Sequence, residues 1–199
     1  MVTEFAQYGS LQDLINKGDV LKPRLKIRTK ILTDCAMGVQ YLHRNAILHR
    51  DIKPDNFLVL SIEGNVKINA KLTDFGSARN VNMLMTNMTF TKGIGTPKYM
   101  APEVLNREKY KMPADIYSLA ITMLEIMTWK EAFPKSEFRF AWDIANFIES
   151  QQRPKTIEEI HDQNIKRMIE HSWNQNPKER LTIEDIVSLL ETLELKLNQ

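Results

Sequence analysis

From residue 24 to residue 44, apolar side chains return every three to four positions. Ile27, Ile31, Cys35, Val39 and Leu42 fall on one stripe. That period predicts a long amphipathic helix with one buried face. Residues 115–129 are apolar on nearly every side, which predicts a buried central helix, capped by Asp115 and ending near Trp129. Further helices are expected near 138–150, 157–172 and 182–196. Ser10-Leu11-Gln12-Asp13 fits a helix start, with Ser10 as N-cap and Asp13 in the first turn. Strand patterns are few: residues 2–5, then 57–60 and 66–72, the last two joined by a turn near Gly64-Asn65. Residues 77–95 keep no period and read as a long loop, a kind of segment that often carries function. The expected fold class is mainly α (α+β overall).

Composition narrows the class without naming it. A chain of 199 residues is one domain or a large piece of one. With 43% apolar and 26% charged residues it has the make-up of a globular protein. A net charge of +2 gives no reason to expect nucleic acid as a partner. No apolar run reaches the roughly 18–20 residues needed to span a bilayer, and the N-terminus lacks the pattern of a signal peptide. The single cysteine, Cys35, allows no intrachain disulfide, so a cytoplasmic location is the default expectation.

Candidate chemistry lies in two short runs. The first is His49-Arg50-Asp51-Ile52-Lys53-Pro54-Asp55-Asn56; the second is Asp74-Phe75-Gly76. Downstream stand Gly95-Thr96-Pro97-Lys98-Tyr99-Met100-Ala101-Pro102-Glu103 and Asn176-Pro177-Lys178-Glu179-Arg180. Each run alone is a weak signal. Ten specified residues in order and spacing are a strong one. In that order they resemble the catalytic loop, metal-binding loop and activation-segment end of the protein kinases. The resemblance covers residues 2–196 and corresponds to the family's hinge and large C-terminal lobe. Lys53 and the Gly95–Tyr99 run favour the Ser/Thr kinases. Val2–Leu11 and Trp173 look like tyrosine kinases and their relatives, so the tyrosine kinase-like group of Ser/Thr kinases fits best. Ser172 and Leu181 depart from that group's usual Cys and Pro.

The resemblance implies roles residue by residue. Asp51 would accept the proton of the attacking hydroxyl, and Lys53 would reach the γ-phosphate of ATP. Asn56 and Asp74 would hold Mg²⁺ through oxygen, as hard cations prefer. Thr96 would hydrogen-bond Asp51 and Lys53. Glu4 and Ala6 would offer backbone hydrogen bonds to adenine, Leu58 would floor its pocket, and Thr3 would guard the back. His49 would be a packed structural histidine. Phe75 would pack under the site, and Gly76 would permit the turn after it. Glu103 would pair with Arg180, and Asp115 would hold the catalytic-loop backbone. Arg50 would pair with a phosphate on Thr86, Thr89 or Thr91. The implied partners are ATP and protein substrates, with no membrane insertion.

Several features carry plainer readings. Ser10 and Asp13 serve a helix cap before any ribose contact. His43, His161 and His171 lack metal-ligand spacing. Lys22, Arg24, Lys26, Arg28 and Lys30 spread around a helix as a solvated face. Met83, Met85 and Met88, in the long loop, are expected to fill gaps or to be disordered rather than to bind a partner.

The family's small lobe, with its β-sheet, Gly-rich phosphate loop, strand lysine and helix glutamate, finds no match in the 199 residues. The expectation is that Met1 is an internal methionine of a longer chain, and that these residues alone transfer phosphoryl groups poorly. The competing reading is a kinase-like lobe that binds partners without catalysis.

Overall fold

The computed structural model describes residues 4–81 and 97–198. Helix α1 (Leu11–Asn16) starts in a capping box: the Asp13 amide donates to Ser10 Oγ at 3.1 Å, and the Ser10 amide donates to Asp13 Oδ2 at 2.9 Å. The Ser10 hydroxyl also donates to Asp13 Oδ2 at 2.8 Å, and that bond together with the Ser10 amide holds the Asp13 carboxyl below its ordinary range. Helix α2 (Leu25–Arg44) turns Ile31, Leu32, Cys35, Ala36 and Val39 fully inward. It is followed by the short strands β1 (Ile47–Leu48), β2 (Phe57–Val59), β3 (Ala70–Leu72) and β4 (Arg79–Asn80). They form two antiparallel pairs, with Ile47 opposite Asn80 and Leu58 opposite Lys71.

Past the turn Pro97–Tyr99 come α3 (Pro102–Leu105), α4 (Met112–Thr128), α5 (Ala141–Glu149), α6 (Gln163–Ser172) and α7 (Ile183–Leu197). The fold is mainly α. Helix α4 is the hub; Tyr117, Leu119, Ile121, Met123 and Leu124 are completely buried in it. Side chains of this size stabilise by roughly 1.5–3 kcal/mol each when taken out of water. Helix α2 lies against α7, α4 and β3. Gly38 allows that last contact, because a Cβ there would stand only 3.2 Å from Leu72 Cβ.

The sequence expectations hold for the existence of most elements and fail at several boundaries. Of the strand expected over residues 2–5, residues 2 and 3 lie outside the described residues and residues 4 and 5 are not in a strand; among the described residues the ladder-like bonds of this segment begin at Tyr8, whose amide reaches the Val59 carbonyl at 3.3 Å. Extended residues without a paired neighbour make no sheet. The expected strand 66–72 shrinks to 70–72 because Asn69 closes the connection instead, its side chain donating to the carbonyls of Ser61 and Glu63. The helix expected over 157–172 begins at Gln163, after the turn Lys155–Glu159, because Asp162 caps the Asn164 and Ile165 amides. Helix α4 begins three residues before Asp115, with Pro113 in its first turn, so Asp115 is not its cap. Arg28 leaves the expected solvated face. It donates to the carbonyls of Met127 and, at 3.5 Å, Ile126, satisfying the end of α4.

Candidate active site

The loop between β1 and β2 carries His49 to Asn56, and its shape is dictated from below. Asp115 is fully buried, and its carboxylate collects four donors. The amides of His49 and Arg50 donate at 3.0 Å each, the Tyr110 hydroxyl at 2.8 Å, and His43 Nε2 lies 3.0 Å away. Burial alone would raise this carboxyl. The hydrogen bonds from His43, Arg50 and Tyr110 outweigh it and hold the group below the ordinary aspartate value. With two of its amides pinned, the loop accommodates Arg50 at φ 71°, a left-handed conformation that β-carbon sterics disfavour.

On that pinned loop three side chains converge. Lys53 Nζ lies 2.7 Å from Asp51 Oδ2. The Asn56 amide donates to the Asp51 carbonyl at 2.7 Å and to Asp51 Oδ2 at 3.1 Å. Asn56 thereby turns its NH₂ group toward Asp51, which leaves the amide oxygen as its acceptor end. Strand pairing of β2 with β3 brings the second run alongside. The Thr73 amide donates to the Asn56 carbonyl at 2.9 Å, and His49 Nε2 lies 3.0 Å from the Thr73 carbonyl. His49 is fully buried and serves this packing role.

Asp74 follows at φ 58°, again left-handed, and its Oδ1 accepts the Gly76 amide at 3.2 Å. Gly76 has no positive φ; the strained residue is Asp74. The glycine matters for a different reason, since a Cβ there would lie a tight 3.2 Å from Asp74 Oδ1 and press on that carboxylate. Phe75 is 53% exposed rather than packed beneath the site. Its ring contact is edge-on to His49, with centroids 5.6 Å apart.

Glu4 reaches Lys71 on β3, while Gln7 Nε2 donates to the Leu60 carbonyl at 3.0 Å, so residues 4–9 lie along the β2–β3 pair. Leu58 bridges to Ser10 there and is half-buried, and Ala6 is half-buried in the same segment. Thr3, Thr86, Thr89, Thr91 and Thr96 lie outside the described residues, as do Met83, Met85 and Met88. Glu103 and Arg180 form a buried two-pronged pair, both bonds 2.7 Å. Arg180 also donates to the Pro113 carbonyl at 2.8 Å and stands 5.1 Å over the Tyr117 ring.

Two neighbours of Arg50 escape sequence reasoning. Tyr110 offers its ring to the Arg50 guanidinium at 5.8 Å while its hydroxyl binds Asp115. Arg79, on β4, is near enough for its charge to disfavour the charged form of Arg50, whose guanidinium burial has already lowered. Two arginines whose charges act on each other suit an anion. Arg79 has no periodic signal because its strand is two residues long.

The donor set here is an amide oxygen and a carboxylate, hard oxygen ligands of the kind Mg²⁺ takes alongside phosphates. Among the described residues no group of three or more His, Cys, Asp or Glu is placed to hold a metal, and no helix is long and apolar enough to cross a membrane.

Comparison with known proteins agrees with this geometry. The family model of the protein kinase domain matches residues 1–189. The probable serine/threonine-protein kinase gdt4 of Dictyostelium discoideum is 31% identical over 97% of this chain and 12% of its own length. The dual specificity protein kinase shkC of the same organism is 32% identical, covering 96% of this chain and 37% of its own. The serine/threonine-protein kinase STY17 of Arabidopsis thaliana is 32% identical over 97% of this chain and 32% of its own. The chain thus spans between 12% and 37% of the length of these relatives. A matched domain along nearly the whole length places the chain in one family: it belongs to the protein kinase domain family.

Proposed function

We propose that this protein transfers the γ-phosphoryl group of ATP to serine or threonine hydroxyls of other proteins, and that residues 1–199 are the hinge and large lobe of its kinase domain. The observation that carries the reading is the grip on Asp51. Its carboxylate is held by Lys53 and Asn56 on a loop whose backbone hangs from buried Asp115. A carboxylate so held accepts the proton of a hydroxyl brought beside it. Lys53, a compact cation on a flexible stem, exchanges Asp51 for a phosphate oxygen. The Asn56 amide oxygen and Asp74 carboxylate would hold Mg²⁺, which would supply positive charge against the phosphates. Thr96 is assigned a hydrogen bond to Asp51 and Lys53, and the backbone of Glu4 and Ala6 with Leu58 an adenine site. Arg50 and Arg79 are assigned to a phosphorylated threonine among Thr86, Thr89 and Thr91. The hinge-like Val2–Leu11 run supports the tyrosine kinase-like group, and the lone, buried Cys35 fits a cytoplasmic setting.

The test is Asp51→Asn in the whole protein, assayed with radiolabelled ATP and casein. Turnover should fall by orders of magnitude with the unfolding midpoint unchanged; near-normal turnover removes Asp51 as the base. The competing reading is a binding lobe without catalysis. It gains if the wild-type protein transfers no phosphate. For the 199 residues alone, with nucleotide contacted on one face and open to water, ATP with Mg²⁺ should barely shift thermal unfolding.

A further inference from the structure

Helix α7 carries an exposed stripe that the active-site reading does not use. Asp185, Leu189, Thr192 and Lys196 are all exposed, and at 3.6 residues per turn they fall within about 60° of one another. The core side of the helix is separate: Ile183, Ile186, Leu190 and Leu193 are buried. Leu189 keeps 46% of its surface exposed, and Leu195, on the flank of the stripe, keeps 67%. The Thr192 hydroxyl donates back to the Ser188 carbonyl at 2.9 Å, which leaves its methyl group as the outward contact.

Beside the stripe runs a groove. Asn164, Ile165 and Met168 of α6 form one wall, and Leu189, Leu193 and Lys196 of α7 the other; the space between them is about 420 Å³ and open to solvent. An apolar floor with polar groups at its rim suits a protein contact.

The order of charges decides what fits. The Thr182 hydroxyl and amide hold the Asp185 carboxyl below its ordinary range, so the N-terminal end of the stripe is negative. Lys196 makes the other end positive, and it has no ion pair among the described residues. Reversed, the stripe is its own complement. In an antiparallel pair of α7 helices centred between Leu190 and Glu191, Asp185 meets Lys196 and Leu189 meets Thr192, because both pairs are evenly spaced about that centre. Antiparallel helices also set opposite dipole ends side by side. An interface with two-fold symmetry needs this self-complementarity. An unrelated helix would have to reproduce the same order in reverse; a second copy carries it already.

We infer that two copies of this chain pair through this face, α7 against α7 in antiparallel register, with Leu189 of each copy over Thr192 and the groove of the other, and Asp185 paired with Lys196 at both ends. The inference stands independently of the kinase reading. Helix α7 packs on α2, which in turn packs on β1 and β3 beside the candidate active site. The outer face of α7 is thus a layer removed from that site, and pairing leaves it open. One helix pair with part of α6 lies at the small end of specific interfaces, near roughly 1,200 Å² in total, so the dimer is weak, with a Kd of about 1–100 μM.

The test is sedimentation equilibrium of the 199-residue chain at rising micromolar concentration. The wild type should pass from monomer to dimer. Lys196→Glu sets like charges together at both ends of the pair, and Asp185→Lys does so with the opposite sign; each alone should raise Kd about tenfold or more. Mixed one to one, these two variants should pair again with near wild-type affinity, since each end then joins opposite charges. Leu189→Glu should stay monomeric with unchanged helical circular dichroism. If Asp185→Lys loses its fold with the Thr182 cap, Asp185→Asn keeps that cap, and its mixture with Lys196→Glu should still dimerise more tightly than Lys196→Glu alone. A mixture that pairs no more tightly than its components overturns the inference, as does a dimer that every variant leaves unchanged. A wild type monomeric throughout leaves the groove to another occupant, a further segment of a longer chain or a different protein, and overturns it as well.

Discussion

The two halves of the candidate site are held in opposite ways. The loop bearing Asp51 is fastened from the core: Asp115, with no exposed surface, takes two of its amides, and His43 and Tyr110 complete the carboxylate's partners. The turn bearing Asp74 faces solvent. Its support is local: an Asp74–Gly76 hydrogen bond, a left-handed backbone, and the edge of His49 against a half-exposed Phe75. The proton-accepting side is therefore built into the lobe before any ligand arrives. The carboxylate proposed for the metal sits on a turn that needs less free energy to rearrange, since few buried contacts resist its opening.

That contrast can be broken or sharpened. Glu103→Leu should have the largest effect, because it strands the Arg180 guanidinium in the interior; about 3–5 kcal/mol of stability should be lost in urea unfolding. A loss under 1 kcal/mol would mean that the Pro113 and Asn174 carbonyls already satisfy that arginine. Asp115→Asn comes next. Its NH₂ group would face donors, and roughly 2–4 kcal/mol should go, with the His49 and Arg50 amides losing hydrogen-exchange protection. Unchanged protection there would erase the distinction between the two halves.

Acid titration sharpens the same point. The Asp115 carboxyl is held below its ordinary value of 3.8, so its stabilisation is present above that pH and lost as pH falls through the lower folded value. The wild type should therefore lose part of its advantage over Asp115→Asn below pH 4. Phe75→Leu is smaller, about 0.5–1.5 kcal/mol for the edge contact, with the Gly76 amide exchanging faster and the Arg50 amide unchanged. Lys130→Ala, which breaks an exposed pair with Glu159, should move stability by less than about 1 kcal/mol; a larger loss would show that the pair anchors the loop after α4.

Much of the helical frame was legible because burial imposes a period. The stripe from Ile27 to Leu42 and the all-round apolar run after Asp115 each correspond to a helix. Boundaries were less legible, since they depend on which side chain reaches which backbone group. Asp162 delays one helix, Asn69 shortens one strand, and Arg28 abandons the surface for carbonyls 98 and 99 residues away. The order of His49 to Asn56 and Asp74 to Gly76 pointed to the family, but left the work of individual residues open. Gly76 was expected for its backbone freedom; instead it leaves space beside the Asp74 carboxylate, a distance no linear pattern contains.

The sequence by itself determined the helical class, the buried central helix and the family, because hydrophobic period and motif order are properties of the chain alone. Only the tertiary structure decided that Asp115 fastens the loop and that Arg79 and Tyr110 gather around Arg50. Hydrogen bonds and charge interactions act over a few ångströms, and groups dozens of residues apart come within that reach only once the chain has folded.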